Sequence, residues 1–152
     1  MSNDEGITLS HDEGMTLRSD PESLRLKAIT PSITVNSIDA SLAFYRDICG
    51  FHVHELWEHD GLVMGADLVA GTTHLMIGQD DFKKGADRVK GVGMRLFFTT
   101  SAPVDQVAEA IKDRGGTLES EPQDMPWGGR AFSIIDPDGI AITFASDWRG
   151  EG

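Results

Sequence analysis

The sequence predicts an α+β fold of two βαβββ modules whose mixed sheets pair into a concave cup, with the helices on the outer face. Two observations predict it. Two amphipathic helical stretches, each followed by three strand-like runs, lie over each other without gaps: Ile38-Asp39 on Val104-Asp105, Arg46-Asp47 on Lys112-Asp113, and Gly50 on Gly116, a period near 66 residues. Two turn glycines, Gly71 and Gly139, also correspond. Each module offers a sheet with one helix on one face, so the other face must be buried or used, and two such sheets side by side leave a hollow suited to a small molecule.

The elements follow in order. Residues 1–24 form an acidic, flexible tail, with six carboxylates against Arg18 and an internal echo, Asp4–Leu9 returning as Asp12–Leu17. Module 1 spans 26–77. Its first strand lies in 26–35, where Pro31 argues for a sheet edge. Asn36 or Ser37 caps a helix carrying the stripe Ile38, Leu42, Tyr45 and Cys49, and Gly50 stops it as a left-handed residue. Strands follow at Phe51–Trp57, Leu62–Val69 and Thr73–Ile77. Residues 78–91 are a charged linker, read as a solvated connection. Module 2 spans 92–147: a strand at 92–99, a helix opened by Pro103 with the stripe Val104, Ala108 and Ile111, a stop at Gly115-Gly116, and strands at Thr117–Glu121, Arg130–Ile135 and Ile140–Ala145. Pro126–Gly129 and Asp136–Gly139 supply turns, and 148–152 are a short C-terminal tail.

Composition narrows the function. The 152 residues are 39% hydrophobic and 25% charged, with a net charge of −12. That charge repels phosphate backbones and anionic lipid, so neither nucleic acid nor membrane is an expected partner, and it favours cationic over anionic ligands. No apolar run is long enough to span a bilayer, and no secretory signal is visible. A single cysteine, Cys49, leaves no internal disulfide and fits a reduced, cytoplasmic setting. It sits on the apolar stripe at a helix C-terminus, where the dipole raises a thiol pKa, so its role is in the core. No nucleophile elbow or phosphate-binding glycine loop occurs. His52 and His54 share one strand face and are weak metal candidates, more simply read as part of a wet sheet surface. Trp57 and Trp127, near strand ends, are candidate aromatic walls for a planar or cationic ligand.

The repeat, the stretch Ser37-Ile-Asp-Ala-Ser-Leu-Ala-Phe-Tyr-Arg-Asp-Ile-Cys-Gly-Phe51 and the Asp136-Pro137-Asp138-Gly139 turn resemble the vicinal oxygen chelate superfamily over residues 28–146. That superfamily includes glyoxalase I, extradiol dioxygenases, fosfomycin-resistance enzymes and bleomycin-binding proteins. The phrase Pro126-Trp-Gly-Gly-Arg-Ala-Phe132 is most similar to the glyoxalase-like, bleomycin-resistance-like branch. The resemblance implies one divalent ion held by His, Gln or Glu on the first and last strands of each module. Counting onto this chain gives Thr30, Leu75, Met94 and Thr143, none an imidazole or carboxylate. A slip of one residue admits His74, and one histidine cannot hold the ion alone. The expectation is therefore no cofactor, with one divalent metal ion as the alternative.

If Met94 occupies a vacated ligand position, Met94, Leu96 and Phe98 point into the cup, faced by Thr143 with Ala141 and Ala145. The preferred reading is a metal-free protein, not an enzyme, that encloses a small organic molecule, aromatic or cationic, in a cup built from both modules. The modules pair within one chain or across two, which makes a homodimer an expected partner state. A divergent metal-dependent lyase, isomerase or dioxygenase, and an interaction protein whose cup is filled by side chains, are the other readings.

Overall fold

The computed structural model describes residues 24–147; the expected N-terminal echo and the C-terminal tail lie outside them. Each module is a four-stranded mixed sheet. In module 1, β1 (Ser32–Val35), β2 (His52–His59), β3 (Leu62–Ala70) and β4 (Thr73–Gln79) assemble in the order β1-β4-β3-β2. In module 2, β5 (Arg95–Thr100), β6 (Ser120–Asp124), β7 (Arg130–Ile135) and β8 (Ala141–Ser146) take the order β5-β8-β7-β6. The first strand of each module runs parallel to its last and lies at the sheet edge, and the other pairs are antiparallel. Pro31 therefore precedes an edge strand, where a missing N–H costs no ladder bond.

The helices form where the capping chemistry places them. Ser37 caps α1 (Ile38–Leu42), its hydroxyl accepting from the Ala40 N–H at 3.1 Å. The coil then widens into a π-helical segment, Ala43–Cys49, and ends at Gly50, whose φ of +102° belongs to the left-handed region. This widening modifies the expected stripe: Phe44 and Tyr45 are both buried, while Cys49 is only partly so. The second helix, α2 (Val104–Asp113), begins after Pro103 and buries Val104, Ala108 and Ile111 as expected.

One core serves both modules, joining Val35, Tyr45, Leu68 and Ile77 of module 1 with Ile111, Phe132, Ile134 and Ile142 of module 2. Polar bonds cross the same joint. The Tyr45 hydroxyl donates to Asp136 at 2.6 Å, and the Asn36 N–H donates to Asp138 at 3.1 Å. The Arg114 guanidinium donates to the carbonyls of Ile48 and Cys49 at 2.7 and 3.0 Å.

The connection between modules departs from the solvated linker of the sequence reading. Gly78 and Gln79 belong to β4, and Asp80 is buried at 6% exposure. Its carboxylate takes the Lys90 ammonium at 2.8 Å and the Arg88 guanidinium at 3.4 Å, while Lys90 also donates to Asn36 at 2.6 Å. A buried carboxylate needs such partners, and the Lys90 ammonium, with the Phe82 N–H, holds the Asp80 carboxyl below the usual carboxylate range. Among the described residues, no helix is long and apolar enough to cross a membrane.

Candidate functional site

Strand alternation divides each sheet into a helix-covered face and a free face. On the second sheet, Leu96 pairs with Ile142 and Phe98 with Phe144, and all four belong to or pack on the core. The free face therefore carries Arg95, Phe97 and Thr99 of β5, Ala141, Thr143 and Ala145 of β8, and Ala131 and Ser133 of β7. Leu96 and Phe98 therefore lie on the helix-covered face rather than the free face, and Phe98 borders a separate cavity there. Met94 precedes the strand, lies in a turn with its N–H donating to the Gly91 carbonyl at 3.2 Å, and is 43% exposed, so it does not set the strand register. In sequence β5 reads Arg-Leu-Phe-Phe-Thr-Thr with no polar–apolar alternation, so its free face is identified only by its pairing with Ile142 and Phe144 of β8.

The free face of the second sheet holds a cavity of about 210 Å³. Arg95, Phe97, Trp127, Gln123, Met125 and Thr143 line it. Of the candidate pocket residues, Thr143 and Trp127 line this cavity, together with Arg95 and Phe97 and without Leu96 or Phe98. At its floor, Arg95 Nη1 donates to Thr143 Oγ1 at 2.7 Å, and the Thr143 and Ser133 hydroxyls lie 3.2 Å apart. Arg95 pairs with no carboxylate among the described residues, so its guanidinium keeps donors for another group. Trp127 is half-exposed on a tight turn closed by Met125 and Gly129. Gly128 and Gly129 there adopt φ of +94° and +84°, which a side chain would oppose.

The free face of the first sheet gathers the other candidates. Trp57 lies across Gly65, where a Cβ would stand 2.9 Å from the indole. His74 Nδ1 is 3.1 Å from both oxygens of Asp67. The His54 ring meets the His74 ring edge-on, with centroids 5.8 Å apart. His52, opposite Val69, shares this face. A β-bulge between Val53 and Glu55 breaks the simple alternation, so Glu55 and Trp57 lie on the free side with His52.

The positions matched to the metal ligands do not fit a divalent ion. Leu75 is fully buried on the helix side, Met94 and Thr30 lie outside the strands, and the Thr143 hydroxyl is already held by a guanidinium that would repel a cation. Among the described residues, no three His, Cys, Asp or Glu side chains converge on a common ion position.

Comparison with known proteins bears on this geometry. The family model described as the Glyoxalase/Bleomycin resistance protein/Dioxygenase superfamily matches residues 25–144. TioX from Micromonospora sp. ML1 superposes with a TM-score of 0.65 at 19% identity, covering 79% of this chain and 98% of its own. A member of the same superfamily from Sphaerobacter thermophilus gives 0.64 at 24% identity, covering 81% and 98%. Lactoylglutathione lyase from Agrobacterium tumefaciens gives 0.58 at 20% identity, covering 83% and 95%. No protein of curated function matches the sequence.

Proposed function

Because the chain belongs to the glyoxalase/bleomycin resistance protein/dioxygenase superfamily, we propose that it uses the free faces of its sheets to enclose a small aromatic molecule without a metal ion. The observation that carries this reading is the Arg95 guanidinium, bonded to Thr143 and paired with no carboxylate among the described residues, at the floor of a cavity walled by Phe97 and Trp127. Aromatic walls supply stacking area. A guanidinium with spare donors supplies a fixed point for an anionic oxygen such as a carboxylate. Although the chain as a whole is acidic, the local charge at this floor is positive, so the ligand is an aromatic compound bearing an anionic oxygen rather than a cation.

The cavity is also small. Sites for drug-sized molecules occupy roughly 300–1,000 Å³, and this one, at about 210 Å³, is lined by module 2 alone. It reads as half a site. The free face of a first module, with Trp57, His54 and His74, completes it, supplied by the same chain or by a second copy in a homodimer.

Titration with 1-naphthoate and with 1-naphthylamine, followed by tryptophan fluorescence and thermal shift, tests the reading. The acid is expected to bind and stabilise in proportion to RT ln(1 + [L]/Kd), and the amine is not. Hydrogen bonds to a charged group contribute roughly 1.5–3 kcal/mol, so Arg95→Leu should weaken naphthoate about tenfold or more. Equal binding of acid and amine, naphthoate binding indifferent to Arg95→Leu, or a stoichiometric divalent ion found by elemental analysis would each overturn it.

A further inference from the structure

The joint between the modules is built twice, and its two ends are finished differently. The 66-residue offset pairs Ser41 of α1 with Val107 of α2. At one end, β7 and β8 are connected by five residues, Asp136–Ile140, beyond the Ile135–Ala141 pair. That turn is long enough to carry Asp136 to the Tyr45 hydroxyl and Asp138 to the Asn36 N–H. Ser41, one turn before Tyr45, is fully buried there.

At the other end, β3 and β4 are connected by only Gly71 and Thr72, beyond the Ala70–Thr73 pair. This hairpin bears no group to fill the joint, and a cavity of about 410 Å³ remains. Val107, the counterpart of Ser41, lines it. Its apolar wall is Phe51, Phe98 and Phe144. Phe51 meets Phe98 at 5.9 Å and 63°, and Phe98 meets Phe144 at 5.6 Å and 30°, so both ring faces and edges are presented. Thr72 and Thr73 at the hairpin, with Thr100 at the end of β5, supply the polar part. Among the described residues, no charged side chain lines the cavity.

We infer that this inter-module cleft is a second small-molecule site, distinct from the free-face cavity, that takes a neutral aromatic molecule carrying a hydroxyl or carbonyl group. Its volume lies inside the range of roughly 300–1,000 Å³ that holds small ligands. Three phenylalanines offer stacking and edge contacts to a ring. A lining that is neutral throughout leaves a charged ligand with no partner for its charge, and burying an unpaired charge is costly. The threonine hydroxyls donate and accept, so they serve one polar group on an otherwise apolar ligand.

2-Naphthol is a suitable probe. The intact protein should bind it saturably at one site. Ala70→Leu and Val107→Phe fill the cleft from opposite walls, and each should weaken binding at least tenfold while leaving the melting temperature close to that of the parent. Trp127→Ala, in the other cavity, should leave 2-naphthol binding unchanged. A crystal grown with 2-naphthol should show the ring against Phe98 and Phe144, a readout independent of whether the filled variants fold. Absence of saturable binding, binding that survives both fillings, loss of binding in Trp127→Ala, or density for the ring elsewhere would overturn the inference.

Discussion

Cys49 illustrates how position decides the chemistry of a single residue. Burial at the end of the π-helical segment pushes its thiol up to about 12. The Asp136 carboxylate adds to the rise, and the Arg114 guanidinium opposes both without cancelling them. Since the thiolate is the reacting species, and each pKa unit changes its population tenfold, the folded protein should react with a disulfide reagent at pH 8 at least about a hundredfold more slowly than the chain in denaturant. The native rate should climb about tenfold per pH unit from 8 to 10 without a plateau; a rate at pH 8 matching the unfolded chain would show the thiol to be accessible and unperturbed. The side that Cys49 faces was legible in the sequence, because a helical stripe reports it, but not that Cys49 is only partly buried and borders the inter-module cleft. The cup residues were legible only in part. Trp127 and Thr143 line the cavity, whereas Leu96 and Phe98 face the helix, because a period of two yields two faces and says nothing about which one is free. Arg95 and Phe97 became recognisable only when β5 was paired with Ile142 and Phe144.

Among the elements, caps and stops were the easiest to read. Ser37 and Gly50 act through bonds within a few residues, so a short window of sequence contains their cause. The π-helical widening after Leu42 and the bulges in β2 have no such local signature. Nor did the anchoring of Asp80 by Lys90 and Arg88, in a segment whose composition is that of a solvated connection. The meeting of the two helix ends is similarly tertiary, and it turns on Gly116. A Cβ at Gly116 would stand 2.6 Å from Ile111 Cγ2, 2.8 Å from Ile48 Cγ2 and 3.0 Å from the Ile111 carbonyl oxygen. Overpacking of this kind costs about 1–3 kcal/mol. Gly116→Ala should lower the urea midpoint accordingly. Gly78→Ala is the contrast, because Gly78 lies within β4 with nothing within 4 Å of its would-be Cβ and no left-handed backbone. A strand glycine replaced under those conditions should stabilise by roughly 0.5–1 kcal/mol. Equal effects at the two positions would mean that the helix ends are looser than described.

At the scale of the whole molecule, the two modules repeat in sequence but share one core, so they should not unfold separately. Buried residues from both halves form one cluster, and the Tyr45–Asp136 bond, spanning 91 residues, stitches the halves through their interior. Asp136 also accepts from the Asp138 and Ile140 N–H groups through its other oxygen, at 2.9 and 2.8 Å. The carboxylate thereby fixes its own turn and grips the opposite helix. Burial, reinforced by this carboxylate, holds the Tyr45 hydroxyl far above the ordinary tyrosine range, so it stays a donor throughout neutral and alkaline conditions. Tyr45→Phe keeps the ring but strands one oxygen of Asp136, and an unsatisfied buried acceptor costs about 1–3 kcal/mol. The tryptophans allow cooperativity to be measured, since Trp57 reports module 1 and Trp127 reports module 2. In variants that retain only one of them, with Trp148 also replaced, the two urea midpoints should coincide with each other and with circular dichroism. Tyr45→Phe should lower all three together and leave their slopes unchanged. If the Trp57 and Trp127 transitions separated in the parent protein, the shared core would not be the unit of stability, and each βαβββ module would stand as a folding domain of its own.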